Sequence, residues 1–128
     1  TNYPFPQDHG YQFRGYHLDA MRRPTLFYRY GDIAVEDFFE DVRDKAGKPY
    51  FKRTFRFDAP AAQTPFYFRA AAGKKITPQS DRAFTADQLQ LRITSEHHGV
   101  VRAGDPGEVL IPVTLPKGRS TLTLEYQW

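Results

Sequence analysis

Glu36 and Asp37 are the carboxylates best placed for acid–base chemistry, standing side by side in a run that alternates like a β-strand. Adjacent residues of a strand point to opposite faces. The two carboxylates therefore cannot enter one pocket as a glycosidase-type pair unless a bulge intervenes. The reading that follows is structural: one is solvated, and the other pairs with an arginine such as Arg14, Arg53 or Arg69. A buried pair of that kind contributes more to specificity of folding than to net stability. The competing role is a carboxylate that binds sugar or calcium.

Other reactive side chains lead less far. His97-His98 precedes Gly99 in an expected turn, with Glu96 and Asp105 nearby, but nothing in the spacing enforces a metal geometry. Gly47-Lys48 and Gly73-Lys74 lack the upstream spacing of a phosphate-binding loop. Ser80, Ser95 and Ser120 are the only serines, and none occupies a Gly-x-Ser-x-Gly turn. The chain has no Cys, which excludes disulfides, thiol nucleophiles, Cys-ligated zinc and covalently attached c-type haem within it. No cofactor is expected. Arg22-Arg23 with Arg14, Lys45, Lys48 and Lys52 would make a basic patch interleaved with rings, as in platforms for single-stranded nucleic acid. In an all-β chain that interleaving follows from inward–outward alternation alone. The excess of 18 basic over 15 acidic residues is only +3, so nucleic acid is a disfavoured partner.

The rings are the richest resource. Tyr3, Tyr11, Tyr16, Tyr28, Tyr30, Tyr50, Tyr67, Tyr126 and Trp128 can each stack on the C–H face of a pyranose or fill a core. Phe and Tyr also favour strands, and two-residue alternation runs through the chain. It predicts strands at Gln12–Leu18, Thr25–Tyr30 and Ile33–Val42, the last two joined by a Gly31-Asp32 turn suited to type II′. Further strands are expected around Phe51–Phe57, Phe66–Ala70, Leu89–Ile93, Val109–Leu115 and Thr121–Trp128, with a short one at Ile76–Pro78. Pro112 cannot donate to a ladder, so its strand should be an edge or be bulged there. Ala83–Gln88 has room for a single helical turn. Residues Thr1–Gly10 form an irregular lead-in to a single domain at 11–128. About eight to ten strands predict an antiparallel β-sandwich, with a closed barrel as the alternative. No apolar run approaches the ~20 residues of a membrane span. The start Thr1-Asn2-Tyr3-Pro4 shows neither an initiator Met nor a signal-peptide pattern, as expected of a processed protein or an excised piece of a larger one.

Several short motifs, taken in order, resemble one module. They are Phe13-Arg14-Gly15-Tyr16-His17-Leu18-Asp19, then Arg23-Pro24-Thr25, Tyr28 and Val35-Glu36-Asp37. The likeness continues through Arg53-Thr54, Phe68-Arg69-Ala70-Ala71-Ala72-Gly73, Leu110-Ile111-Pro112-Val113 and Leu124-Glu125-Tyr126-Gln127-Trp128. The module occurs in large secreted proteins of planctomycete and verrucomicrobial type, in which glucose/sorbosone-dehydrogenase-like β-propellers are joined to a c-type cytochrome. The resemblance implies an extracytoplasmic β-rich accessory domain, periplasmic or secreted. It carries over no catalytic residue, because the propeller and the haem lie in other segments of such proteins.

The sequence thus predicts a non-catalytic module that docks onto neighbouring domains of a larger protein or onto polysaccharide. A docking module should expose an apolar patch; a carbohydrate module should present coplanar exposed rings beside a polar group. The candidate ligand-binding residues are Tyr16, Asp19, Arg23, Tyr28, Glu36 and Arg69. The alternatives are a sugar-active enzyme using Asp or Glu and a weak polyanion binder.

Overall fold

The computed structural model describes residues 11–18 and 24–128, with side chains from Thr25 onward. The expected lead-in, Asp19 and Arg23 lie outside the described residues. Those described form eleven strands in two antiparallel sheets, and neither sheet closes into a barrel. The strands are β1 (Tyr11–Leu18), β2 (Pro24–Tyr30), β3 (Ile33–Arg43), β4 (Pro49–Ala59), β5 (Phe66–Gly73), β6 (Ile76–Pro78), β7 (Ala83–Ala86), β8 (Leu89–Ile93), β9 (Val100–Arg102), β10 (Gly107–Val113) and β11 (Gly118–Gln127). The larger sheet runs β1-β2-β3-β4-β11-β8-β7-β6 and the smaller β5-β10-β9.

The turns follow from their residues. Tyr30 pairs with Ile33 across Gly31-Asp32, and Gly31 has φ +57° while Asp32 keeps a negative φ. Those signs are the ones a II′ turn requires. Between β3 and β4, the Asp44 carboxylate accepts the backbone N–H groups of Ala46 and Lys48, both at 2.9 Å. Gly47, at φ +80°, closes that loop. The possible helical turn at Ala83–Gln88 is instead β7 and a tight turn into β8. Four residues are too few to nucleate a helix, and pairing of Phe84 with Leu91 places both in the core.

Period-two burial fixes one inner face. On β3, Ile33, Val35 and Asp37 are buried while Ala34 and Glu36 are exposed. On β4, Phe55, Phe57 and Ala59 are buried; on β11, Leu122, Leu124 and Tyr126 are. The smaller sheet contributes Phe68, Val109, Ile111 and Val113 to the same core. Phe55 meets Phe68 edge-on at 4.7 Å between centroids, and Phe57 meets Phe66 at 6.3 Å. Each such fully buried side chain contributes roughly 1.5–3 kcal/mol.

Pro112 satisfies its constraint in an unexpected way. Its strand, β10, is the central one of the smaller sheet, yet β9 covers only Glu108–Leu110. At Pro112 the ladder continues on the β5 side alone, opposite Tyr67. A bulge also falls in this pair. Ala71 faces Val109 and Arg69 faces Leu110, leaving Ala70 as the extra residue. Consecutive Ala70 and Ala71 are therefore both buried, where strict alternation would expose one.

Candidate cleft at the end of the two sheets

Asp37 and Arg53 meet on the inner face because β3 and β4 pair antiparallel, with Phe39 opposite Arg53 and Asp37 opposite Phe55. Arg53 Nε donates to Asp37 Oδ1 at 3.0 Å and Nη2 to Oδ2 at 2.7 Å. This two-pronged geometry is the strong form of the guanidinium–carboxylate pair. Asp37 is fully buried, and the Arg53 side chain is 18% exposed. The guanidinium carbon also lies 4.5 Å from the Phe55 ring centre and 5.1 Å from that of Phe39. Burial pushes the Asp37 carboxyl above its ordinary value, outweighing the opposing pull of Arg53. For Arg53 burial pulls down, but hydrogen bonds and charge from Asp37 leave the net value raised. Of the adjacent carboxylates, then, Glu36 is solvated and Asp37 pairs with an arginine, as strand alternation requires.

Tyr126 extends this network. Its hydroxyl donates to the carbonyl of Ala70 at 2.8 Å, the residue displaced by the bulge, and it also interacts with Arg53. The phenol is raised chiefly by burial. A side chain of the larger sheet is thus tied to the backbone of the smaller one.

Beyond this tie lies an open cleft of about 650 Å³, within the range of small-molecule sites. Phe51, Arg53, Leu89, Tyr126 and Trp128 line it from the larger sheet, and the Arg69–Lys74 segment from the smaller. Trp128 is 70% exposed. Asp87 completes the wall from the β7–β8 turn, holding φ +54°, a conformation Asp tolerates better than most residues. Its carboxylate accepts the N–H groups of Lys74 at 3.2 Å and Lys75 at 2.9 Å. Gly73 is needed there, since a Cβ would come within 2.8 Å of that carboxylate. Among the described residues, Asp87 is the only acidic side chain lining the cleft.

Arg69, on the outer face of the smaller sheet, has its Nε 2.7 Å from Glu108 Oε2. Glu108 also pairs with Arg102, directly opposite it on β9. The same face carries Tyr67, 66% exposed, and Val100, with half-buried Leu110 and Pro112.

Of the six expected ligand-binding residues, Tyr28, Glu36 and Arg69 have described side chains, and these three do not converge on one place. Asp19 and Arg23 lie outside the described residues, and Tyr16 is placed only by its backbone, opposite Leu26 in β1. Tyr28 is half-buried on the inner face, its phenol raised by burial and then by the nearby charge of Asp37. Glu36 is exposed on the opposite face of the same sheet, across from Phe27 and Arg56. Among the three with described side chains, Arg69 is the one that lines the cleft. Sequence reasoning missed Phe51, Leu89, Asp87 and the Ala70–Gly73 backbone as one wall. The expected strand Thr121–Trp128 puts Leu124, Tyr126 and Trp128 on one face, but the pairing of Tyr126 with Phe51 is a contact between distant strands.

The His97-His98 loop is structural in geometry. His97 Nδ1 lies 2.8 Å from Ser95 Oγ, and that oxygen accepts the N–H of Thr123 at 3.2 Å. Burial lowers the His97 pKa. No cluster of three metal-ligating side chains occurs among the described residues, and no described helix is long and apolar enough to cross a membrane.

Comparison of the chain with models of known protein families, with curated proteins and with solved structures finds no match, so the geometry of the cleft and the sequence itself carry the functional reading.

Proposed function

We propose that this chain is a non-catalytic accessory module of β-sandwich type that binds polysaccharide in the cleft lined by Phe51, Tyr126 and Trp128. The observation that carries the reading is an open, ring-lined cleft whose nearby carboxylates are already engaged. Asp37 is clamped by Arg53, Glu108 is held by two arginines, and Asp87 caps two backbone N–H groups. A glycosidase needs two carboxyl groups about 5–10 Å apart with the scissile bond between them; here a single acidic residue lines the wall. Trp128, 70% exposed, supplies flat apolar surface for sugar C–H faces beside the half-buried Phe51 ring, next to the edge strand β5. The resemblance to modules of secreted multidomain proteins supports a periplasmic or secreted setting beside other domains.

A second reading rests on its own observation. Tyr67, Val100, Leu110 and Pro112 form an apolar patch on the outer face of the smaller sheet, suited to contact with a neighbouring domain. A glycan array probed with the wild-type chain, Trp128→Ala and Tyr67→Ser separates the two. Polysaccharide binding lost in Trp128→Ala and kept in Tyr67→Ser supports the cleft. Binding by none of the three proteins refutes it and leaves the docking patch as the better reading.

A further inference from the structure

Building on the glycan-binding reading, we infer that the cleft selects neutral rather than acidic polysaccharide. Three cations line it, Arg53, Arg69 and Lys74, which at first suggests an anionic ligand. Arg53 and Arg69 are ion-paired within the protein, and Lys74 shares the wall with Asp87. Arg53 is spanned by both oxygens of Asp37, whose side chain has no exposed surface. A ligand carboxylate that drew Arg53 away would strand Asp37 as an unpaired buried charge, a large penalty. The Arg69 Nε stands 2.7 Å from the buried carboxylate of Glu108, which Arg102 also contacts, so a ligand anion drawn to Arg69 would sit beside that carboxylate. Lys74 shares its rim with Asp87, which accepts the Lys74 backbone N–H.

Arg53 and Arg69 are therefore ion-paired with Asp37 and Glu108, and the charge of the remaining cation, Lys74, is offset by Asp87, the acid that lines the same wall. Lys75 and Arg102 are solvent-exposed and do not line the cleft, where salt screens their influence. The remaining recognition surface is uncharged: the rings of Phe51, Tyr126 and Trp128, the Leu89 side chain and the main chain of β5, an edge strand of its sheet. Asp87 places a negative charge in the cleft wall, which disfavours uronate or sulfate groups beside it.

The test is affinity electrophoresis of the whole chain through gels containing a soluble neutral glucan or mannan, or polygalacturonate or alginate, at low and high salt. Retention is expected in at least one neutral gel, changing less than about twofold with salt. Trp128→Ala should weaken it by about tenfold, the effect of losing one exposed ring contact. Preferential retention by polygalacturonate or alginate that disappears at high salt would overturn the neutral class while leaving a glycan-binding module. Neutral retention undiminished in Trp128→Ala would place binding elsewhere and overturn the inference. Migration unchanged in every gel would remove the glycan-binding reading and this inference with it.

Discussion

Replacing Asp37 with Ala leaves the Arg53 guanidinium largely buried and without the carboxylate that balances it. Two charge-assisted hydrogen bonds, at 3.0 and 2.7 Å, are lost at once. Removing one partner of a buried ion pair costs about 3–5 kcal/mol, most of it the penalty of the charge left behind. For a domain of this size that lowers the melting temperature by roughly 10–20 °C, a large share of a typical stability of about 5–15 kcal/mol. The penalty has a distinctive corollary. Asp37→Leu combined with Arg53→Met removes both charges and keeps apolar volume beside Phe39, Phe55 and Phe68. That double variant should recover most of the loss, to within about 2 kcal/mol of wild type. Urea and thermal denaturation of wild type, Asp37→Leu, Arg53→Met and the double variant give the coupling energy directly, with Asp37→Ala measured beside them. A loss below about 1 kcal/mol in Asp37→Ala, or a double variant no more stable than Asp37→Ala, would refute the argument.

Three further outcomes follow from the packing. Gly99→Ala should destabilise by about 1–3 kcal/mol in chemical denaturation, because its Cβ would sit 2.7 Å from the buried Phe84 ring; wild-type stability in that variant would contradict the packing. Tyr126→Phe removes the donor to the Ala70 carbonyl and should cost about 1–2 kcal/mol, with faster hydrogen exchange along β5 as its signature. The third concerns pH. The Lys48 backbone N–H, foremost among its contacts, holds the Asp44 carboxyl below its ordinary value of 3.8. The folded state therefore binds fewer protons at this site than the unfolded one. The resulting stability is fully present above about 3.8 and is lost as pH falls through the lowered folded value. Thermal melts across the acid range should show Asp44→Ala less stable than wild type near neutrality and converging with it at the acid end. A gap that is constant with pH would refute the assignment.

Much of the fold is legible in the chain because period-two alternation is local. The inner face of β3 and the ring-rich end of β11 can be read from the spacing of Ile33, Val35 and Asp37 and of Leu124, Tyr126 and Trp128. Alternation likewise separates Glu36 from Asp37 and demands an arginine for the buried one. It cannot tell which arginine, since that depends on β3–β4 register, and Arg53 is the residue that register supplies. The cleft is less legible because its walls come from distant segments. Phe51 and Tyr126 meet through a β4–β11 pairing with no local trace. The Ala70 carbonyl reaches Tyr126 where a bulge breaks the alternation that otherwise guides the reading. A run of three alanines gives no sequence sign of where such a bulge falls. At Ala83–Gln88 local composition leaves room for a helical turn, but burial of Phe84 against the core decides for a strand over Ala83–Ala86.

The glycan proposed for the cleft would lie between Trp128 and the β5 edge. The most direct measurement is a titration of the isotope-labelled chain, followed by NMR, with an oligosaccharide of whichever neutral polysaccharide retains it most strongly. The Trp128 indole N–H and the amides of Ala71–Lys74 and Asp87 should shift most, while those around Glu36 and Tyr67 stay unmoved. Shifts centred on Tyr67, Val100 and Leu110, or none at all at saturating sugar, would contradict the proposal.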